Sequence, residues 1–187
     1  MRVIAGKYGS RPLGALRGIK LRPTSDRLRE TLFDILGPRV EGSVFLDLYA
    51  GTGAVGIEAL SRGARQVFFV ESHRAGLSLI RRNLESLGIA SGAEILALDV
   101  LHACERLESR GVQAGLVFLD PPYEAANEYE RALEFLGRSK LAAPTALIIA
   151  EYRRKRPPAE PIAGLERARV VEQGDAALGF YRLVGRE

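Results

Sequence analysis

Asp120-Pro121-Pro122-Tyr123 follows directly on the apolar run Gly115-Leu-Val-Phe-Leu119. A carboxylate, two rigid prolines and an aromatic ring therefore leave the end of one expected strand together. These are the groups needed to hold a flat base by its amino group. The Asp120 oxygens and the Pro121 carbonyl accept hydrogen bonds from an exocyclic NH2, Pro121 and Pro122 fix φ, and Tyr123 stacks on the ring. The chemistry this implies is transfer to an amine. Taken alone, the tetrapeptide is equally an ordinary turn after a strand.

A second constellation lies upstream. Val44–Tyr49 reads as a strand, Ala50-Gly51-Thr52-Gly53-Ala54-Val55-Gly56 as a turn, and Ile57–Ser61 as an apolar-periodic helix closed by Gly63. Gly51 and Gly53 let the backbone approach a ligand closely, and Gly56 lets the helix pack near the sheet. Two more strand-like runs, Gln66–Val70 and Ile95–Leu98, end in Glu71 and Asp99. If these strands are parallel, Asp47, Glu71, Asp99 and Asp120 share one edge of one sheet, at the carboxyl ends where open α/β sheets bind ligands. Asp99 considered singly reads better as a helix N-cap.

The glycines at 51, 53 and 56 also match the spacing of a dinucleotide fingerprint, which places a pyrophosphate at the helix amino end. Asp47 argues against that ligand, because an acid just before the glycines would face a phosphate. It would suit an ammonium group. S-adenosylmethionine carries an α-amino group and a sulfonium and no phosphate. Glu71 would then take the ribose hydroxyls and Asp99 the adenine amine.

The motifs Met1–Lys7, Arg22-Pro-Thr-Ser-Asp-Arg27-Leu-Arg-Glu30, Asp47–Ala64 and Phe118–Tyr123 resemble, in this order, those of the RsmD family. Its members methylate the N2 amine of one guanine in bacterial small-subunit (16S) ribosomal RNA. The resemblance implies a class I methyltransferase (Rossmann-like) fold: a seven-stranded, mostly parallel sheet with an antiparallel edge strand, carrying a small basic N-terminal hairpin and helix. It implies S-adenosylmethionine as cofactor, held by Thr24, Asp47, Ala50, Gly51, Thr52, Gly53, Glu71, Asp99 and Val100, with Asp120, Pro121, Pro122 and Tyr123 as the catalytic motif. Gln173-Gly-Asp-Ala-Ala177 departs from the family pattern at 173 and 176, so no role is carried onto that loop. A carboxylate at 120 suits guanine, whose N1–H and N2–H are adjacent donors, whereas Asn would better match adenine. The alternative is a methyltransferase with another amine target: adenine or cytosine in nucleic acid, or a protein side chain.

Charge is distributed unevenly. Residues 1–40 hold nine Lys/Arg against Asp26, Glu30 and Asp34, a net of +6 in a chain whose total is +4. A basic segment on a nearly neutral body reads either as a nucleic-acid arm or as a solvated face. The candidate RNA contacts are Arg2, Lys7, Arg11, Arg17, Lys20 and Arg22, and, in a second cluster, Arg153, Arg154, Lys155 and Arg156. The expected partner is small-subunit ribosomal RNA or a ribosomal assembly particle. Cys104 is the single cysteine, and His73 and His102 are the only histidines and stand apart, so neither a metal site nor a His-based triad is expected. With no run of 18 apolar residues and no apolar N-terminal stretch, a soluble, cytoplasmic protein is expected, with no membrane partner.

The elements that must position these residues follow from periodicity. Val3-Ile4 and the region of Ile19–Leu21 are expected to pair in a hairpin. A helix should start at Thr24/Ser25 and show Leu28, Leu32, Ile35 and Leu36 on one face before Gly37-Pro38 stops it. Strands at 44–49, 67–70, 94–98, 115–119 and 145–150 alternate with helices near 54–62, 74–87, 100–109 and 127–138, the pattern of a doubly wound parallel sheet. The short link between 167–172 and 178–184 makes an antiparallel hairpin. Residues 1–40 read as an extension packed on the methyltransferase domain, 41–187.

Overall fold

Short strands rich in Val, Leu and Phe bury both of their faces only when neighbours and covering helices enclose them. In the computed structural model, which describes residues 1–15, 25–122 and 126–185, the strands are β1 (Val44–Leu48), β2 (Gln66–Val70), β3 (Ala93–Leu96), β4 (Ala114–Leu119), β5 (Ala142–Arg153), β6 (Leu165–Gln173) and β7 (Ala176–Leu183). They form one seven-stranded sheet in the order β3-β2-β1-β4-β5-β7-β6. The first five are parallel to their neighbours. β7 lies antiparallel to β5, and β6 forms the outer edge, antiparallel to β7.

Alternation of side chains divides the core in two. Leu46, Leu48, Val117, Leu119, Ile148 and Ala150 pack on one face against α4 (Val100–Ser109) and α5 (Ala126–Arg138). Phe45, Phe69, Leu116, Phe118, Leu147 and Ile149 point the other way, against α1 (Asp26–Leu36), α2 (Ala54–Ser61) and α3 (Arg74–Leu87). The result is a helix, sheet, helix sandwich.

The expected elements recur within a residue or two, with two differences. β5 runs from 142 to 153 rather than 145 to 150, because it stays paired with β7 from Leu147 to Arg153, past the end of β4. Its carboxyl end therefore projects beyond Leu119. The hairpin near the amino end is also different: Arg2 pairs with Pro12, and Val3 exchanges backbone hydrogen bonds with Ser10 and Arg11. Residues 1–13 close this hairpin by themselves, and 19–21 lie outside the described residues. Between β6 and β7, Gly174 takes φ 61° at the first of two turn residues, as a type II′ hairpin turn requires.

The hairpin is fastened to α2 through one carboxylate. Glu58, fully buried, accepts hydrogen bonds from the amides of Ile4 (2.7 Å) and Ala5 (3.0 Å) and from Arg62 Nε (2.8 Å). The fully buried guanidinium of Arg29 in α1 lies 3.8 Å from it through Nε, and also donates to the Arg2 carbonyl and to Asp26 Oδ1. Ser25 caps α1 as expected, its hydroxyl accepting from Leu28 N.

Candidate active site

The strand order places the acids in one row. Asp99 follows β3, Glu71 follows β2, Asp47 is the last residue but one of β1 and Asp120 follows β4. In parallel strands paired residues share a face. Asp47 pairs with both Phe69 and Phe118, so Asp47, Glu71 (two past Phe69) and Asp120 (two past Phe118) all point toward the α1, α2 and α3 side. Glu151 of β5 belongs to the same row, two residues past Ile149, and is only 4% exposed. The sequence reading misses it, although it too follows an apolar run.

Asp47 is buried beneath the glycine turn and accepts the amide of Gly56 in the first turn of α2 at 2.8 Å, where a carboxylate is favoured by the helix dipole. Burial nevertheless pushes its pKa up to about 8, opposed by the Gly56 hydrogen bond and reinforced by Glu71. Glu71 accepts from Gly51 N (2.8 Å) through one oxygen and from His73 N (2.7 Å) through the other. It thereby shapes the turn whose ligand it would also bind. Gly51 and Gly53 both have positive φ, and a Cβ on Gly51 would point into open space apart from the Tyr49 carbonyl at 3.9 Å. Ala50 donates to the Val70 carbonyl, Gly53 caps α2, and the Thr52 carbonyl accepts from Asn83 Nδ2 (2.9 Å), whose Oδ1 accepts from Gly14 N (2.8 Å). Tyr49 sits within this turn at φ 64°, and its hydroxyl reaches Glu128 of α5 (2.7 Å).

Asp99 caps α4 through the amide of His102 and also pairs with that imidazole, which holds its carboxyl below the usual carboxylate range and raises the imidazole. Val100 is the buried first residue of α4. Asp120 titrates well above the usual range, first through burial and then through Glu151 and Asp47. Pro121 is buried and Pro122 exposed. Tyr129 of α5 donates to the Glu151 carbonyl at 2.6 Å, and its oxygen lies 3.5 Å from the Pro121 carbonyl. Tyr123 and Thr24 lie outside the described residues. Among the described residues no three His, Cys, Asp or Glu stand close enough to hold a metal ion.

The two basic clusters sit at opposite ends. α2 starts at the acid rim and runs about 12 Å to Ser61, whose carbonyl accepts from Lys7 N at 2.8 Å. The tip of the N-terminal hairpin thus lies near the amino ends of the strands. Arg11 directs its guanidinium at the Ser86 (2.7 Å) and Leu87 (3.4 Å) carbonyls at the end of α3, a favourable partner for a helix carboxyl terminus. Arg2 is exposed with its carbonyl held by Arg29, and Arg17, Lys20 and Arg22 lie outside the described residues. Arg153–Arg156, by contrast, form an exposed turn at the carboxyl end of β5, on the acid rim. Arg154 lies 3.8 Å from Glu172. Arg153 and Arg156, with Tyr129, Glu130 and Pro157, line a shallow cleft of about 110 Å³ there.

The raised pKa of Asp47 has a measurable sign. An acid raised from 3.8 to about 8 stabilises the fold at low pH and loses that contribution as pH rises through about 4 to 8. In cofactor-free protein, Asp47→Asn is therefore expected to gain stability relative to the parent across that window, with a slope of up to ~1.4 kcal/mol per pH unit. Urea unfolding at several pH values reads it. A flat difference would mean that Asp47 ionises normally.

The family model described as conserved hypothetical protein 95 matches residues 1–182. The ribosomal RNA small subunit methyltransferase D of Haemophilus influenzae is 34% identical over 184 residues, covering 98% of this chain and 92% of that protein. Its namesake in Escherichia coli K12 is 36% identical over 151 residues, 81% of this chain and 74% of that one. The solved structure of a hypothetical protein from Thermus thermophilus, 27% identical, superposes with a TM-score of 0.82 over 98% of this chain and 99% of that one.

Proposed function

Because the chain belongs to the RsmD family, the one described as conserved hypothetical protein 95, we propose that it methylates the exocyclic N2 amine of a guanine in bacterial small-subunit ribosomal RNA. It is an S-adenosylmethionine-dependent ribosomal RNA methyltransferase. The finer reading rests on one observation: a half-buried acid, Asp120, stands at the carboxyl rim beside the Pro121 carbonyl, where two adjacent N–H donors of guanine would be accepted.

The residues present suit the cofactor. A nearby ammonium group would draw the buried Asp47 carboxyl back to its ionised form and pair with it, whereas a pyrophosphate would gain nothing from it, and Gly51 leaves room for close approach. Asp47 and the Gly51 backbone would hold the amino-acid end, Glu71 the ribose, and Asp99 with Val100 the adenine. When bound, the sulfonium supplies a methyl group that needs no further activation. The chain's own task is positioning: Asp120 and the Pro121 carbonyl hold the amine in line, and Tyr123 stacks the base once it leaves the helix.

Nucleoside analysis of small-subunit ribosomal RNA, naked and in particles, after incubation with methyl-labelled S-adenosylmethionine tests the reading. Label in N2-methylguanosine is expected. Label in methyladenosine or methylcytidine would move the target to another base.

The place of Arg153–Arg156 on the rim favours this cluster over Lys7 and Arg11 as the contact nearest the target. Lys155→Ala with Arg156→Ala is expected to weaken RNA binding and to lower the slope of log K against log salt by about 0.7–0.9 per lost phosphate contact. An unchanged slope, with a fall for Lys7→Ala instead, would put the RNA at the far end of the molecule.

A further inference from the structure

Glu151 is a further acid of the rim row, on β5 beside the Asp-Pro-Pro segment. Its place is set by strand register. Leu119 pairs with Ala150 across the parallel β4 and β5, so Asp120 and Glu151 occupy neighbouring positions, on strands ~4.8 Å apart, and face the same side. Tyr129 clamps this corner: its hydroxyl donates to the Glu151 carbonyl and lies within 3.5 Å of the Pro121 carbonyl. Among the described residues the charged and titratable groups around it include Asp47 on β1, Tyr129 on α5 and Arg153 two residues further along β5; β7 contributes Leu178 opposite Glu151.

From this juxtaposition we infer that Glu151 and Asp120 act as one carboxyl pair that shares a proton and receives the proton leaving the target amine. The inference rests on the methyl-transfer reading above. Two like charges side by side in a poorly solvated corner do not both ionise at neutral pH, and the upward displacement of Asp120 by burial and by Glu151 agrees with that. In the transfer step the amine nitrogen forms its bond to the methyl carbon while the carbon–sulfur bond breaks, its electron pair staying on sulfur as the neutral thioether. The nitrogen's surplus proton passes to the singly charged pair, which becomes fully protonated and later releases it to solvent. Glu151 acts through Asp120 and is a positioning residue: it sets the pH at which Asp120 can accept.

Glu151→Gln tests this, compared with the parent from pH 5.5 to 9. The acid limb of the single-turnover rate is expected to move at least one unit higher, because a lone Asp120 loses the shared proton that stabilises the singly charged pair, while cofactor Kd stays within threefold. Without cofactor, the variant should gain thermal stability relative to the parent as pH rises. A limb that stays in place in an active variant overturns the inference. If the variant does not fold, carboxyl 13C titration of the cofactor-free parent decides instead. Two coupled steps more than one unit apart support the pair, and two independent steps in the usual carboxylate range overturn it. Absence of methyl transfer by the parent would sink the functional reading alone, since the carboxyl titration still judges the pair.

Discussion

Asp120→Ala is expected to lower the rate of methyl transfer by two to four orders of magnitude while leaving cofactor affinity within about threefold. The size is that of losing a positioned proton-accepting group. The separation from cofactor binding follows from the site: the glycine turn is organised by Asp47 and Glu71 on the other side of β1, and Asp120 makes none of those hydrogen bonds. The variant should not unfold. Asp120 is a half-buried acid held above its ordinary range by desolvation and by Glu151 and Asp47, so its removal relieves the fold increasingly as pH rises. An inactive variant with undiminished melting temperature at pH 8 is the expected pairing. Turnover within tenfold of the parent would remove Asp120 from the chemistry.

Glu58→Ala is expected to be the most destabilising single change on the α2 side of the sheet. It removes the acceptor for Ile4 N, Ala5 N and Arg62 and strands the buried guanidinium of Arg29. Breaking a buried pair from one side costs about 3–5 kcal/mol. In a domain of this size that lowers Tm by roughly 6–20 °C, at about 2–4 °C per kcal/mol. Trypsin should then cut early at Arg2 or Lys7, as the hairpin loses its anchor. Adding Arg29→Met should restore part of the loss, because the uncompensated charge goes with it. A single variant within about 1 kcal/mol of the parent, the size of one ordinary hydrogen bond, would mean that the hairpin is held by its apolar contacts at Val3 and Leu13.

Glu58 also marks where the sequence ceases to be legible. Four residues before Arg62 in a short helix, it reads as a solvent-facing ion pair; only the return of residues 1–13 over α2 buries it. The alternation of strands and helices, by contrast, is readable almost to the residue, because buried runs bounded by glycine leave few choices. So is the row of Asp47, Glu71, Asp99 and Asp120, since an acid directly after an apolar run must emerge at the strand's carboxyl end. The same rule applies to Glu151. It escapes because neither a glycine turn nor a proline pair accompanies it to mark it out, as they do Asp47 and Asp120. Charge density finds a basic segment but not where each side chain goes. It places Arg11 among the candidate RNA contacts, and the fold turns that guanidinium onto the end of α3.

Tyr49 leaves the glycine turn in a backbone conformation that a side chain with a Cβ seldom adopts, and its hydroxyl is bonded to Glu128, in the first turn of the helix that follows the Asp-Pro-Pro segment. The glycine turn and the element that follows the Asp-Pro-Pro segment are thus bridged by one ring. A ligand in either place whose binding moves that ring would change the affinity of a ligand in the other, and thermodynamic reciprocity would make the two effects equal.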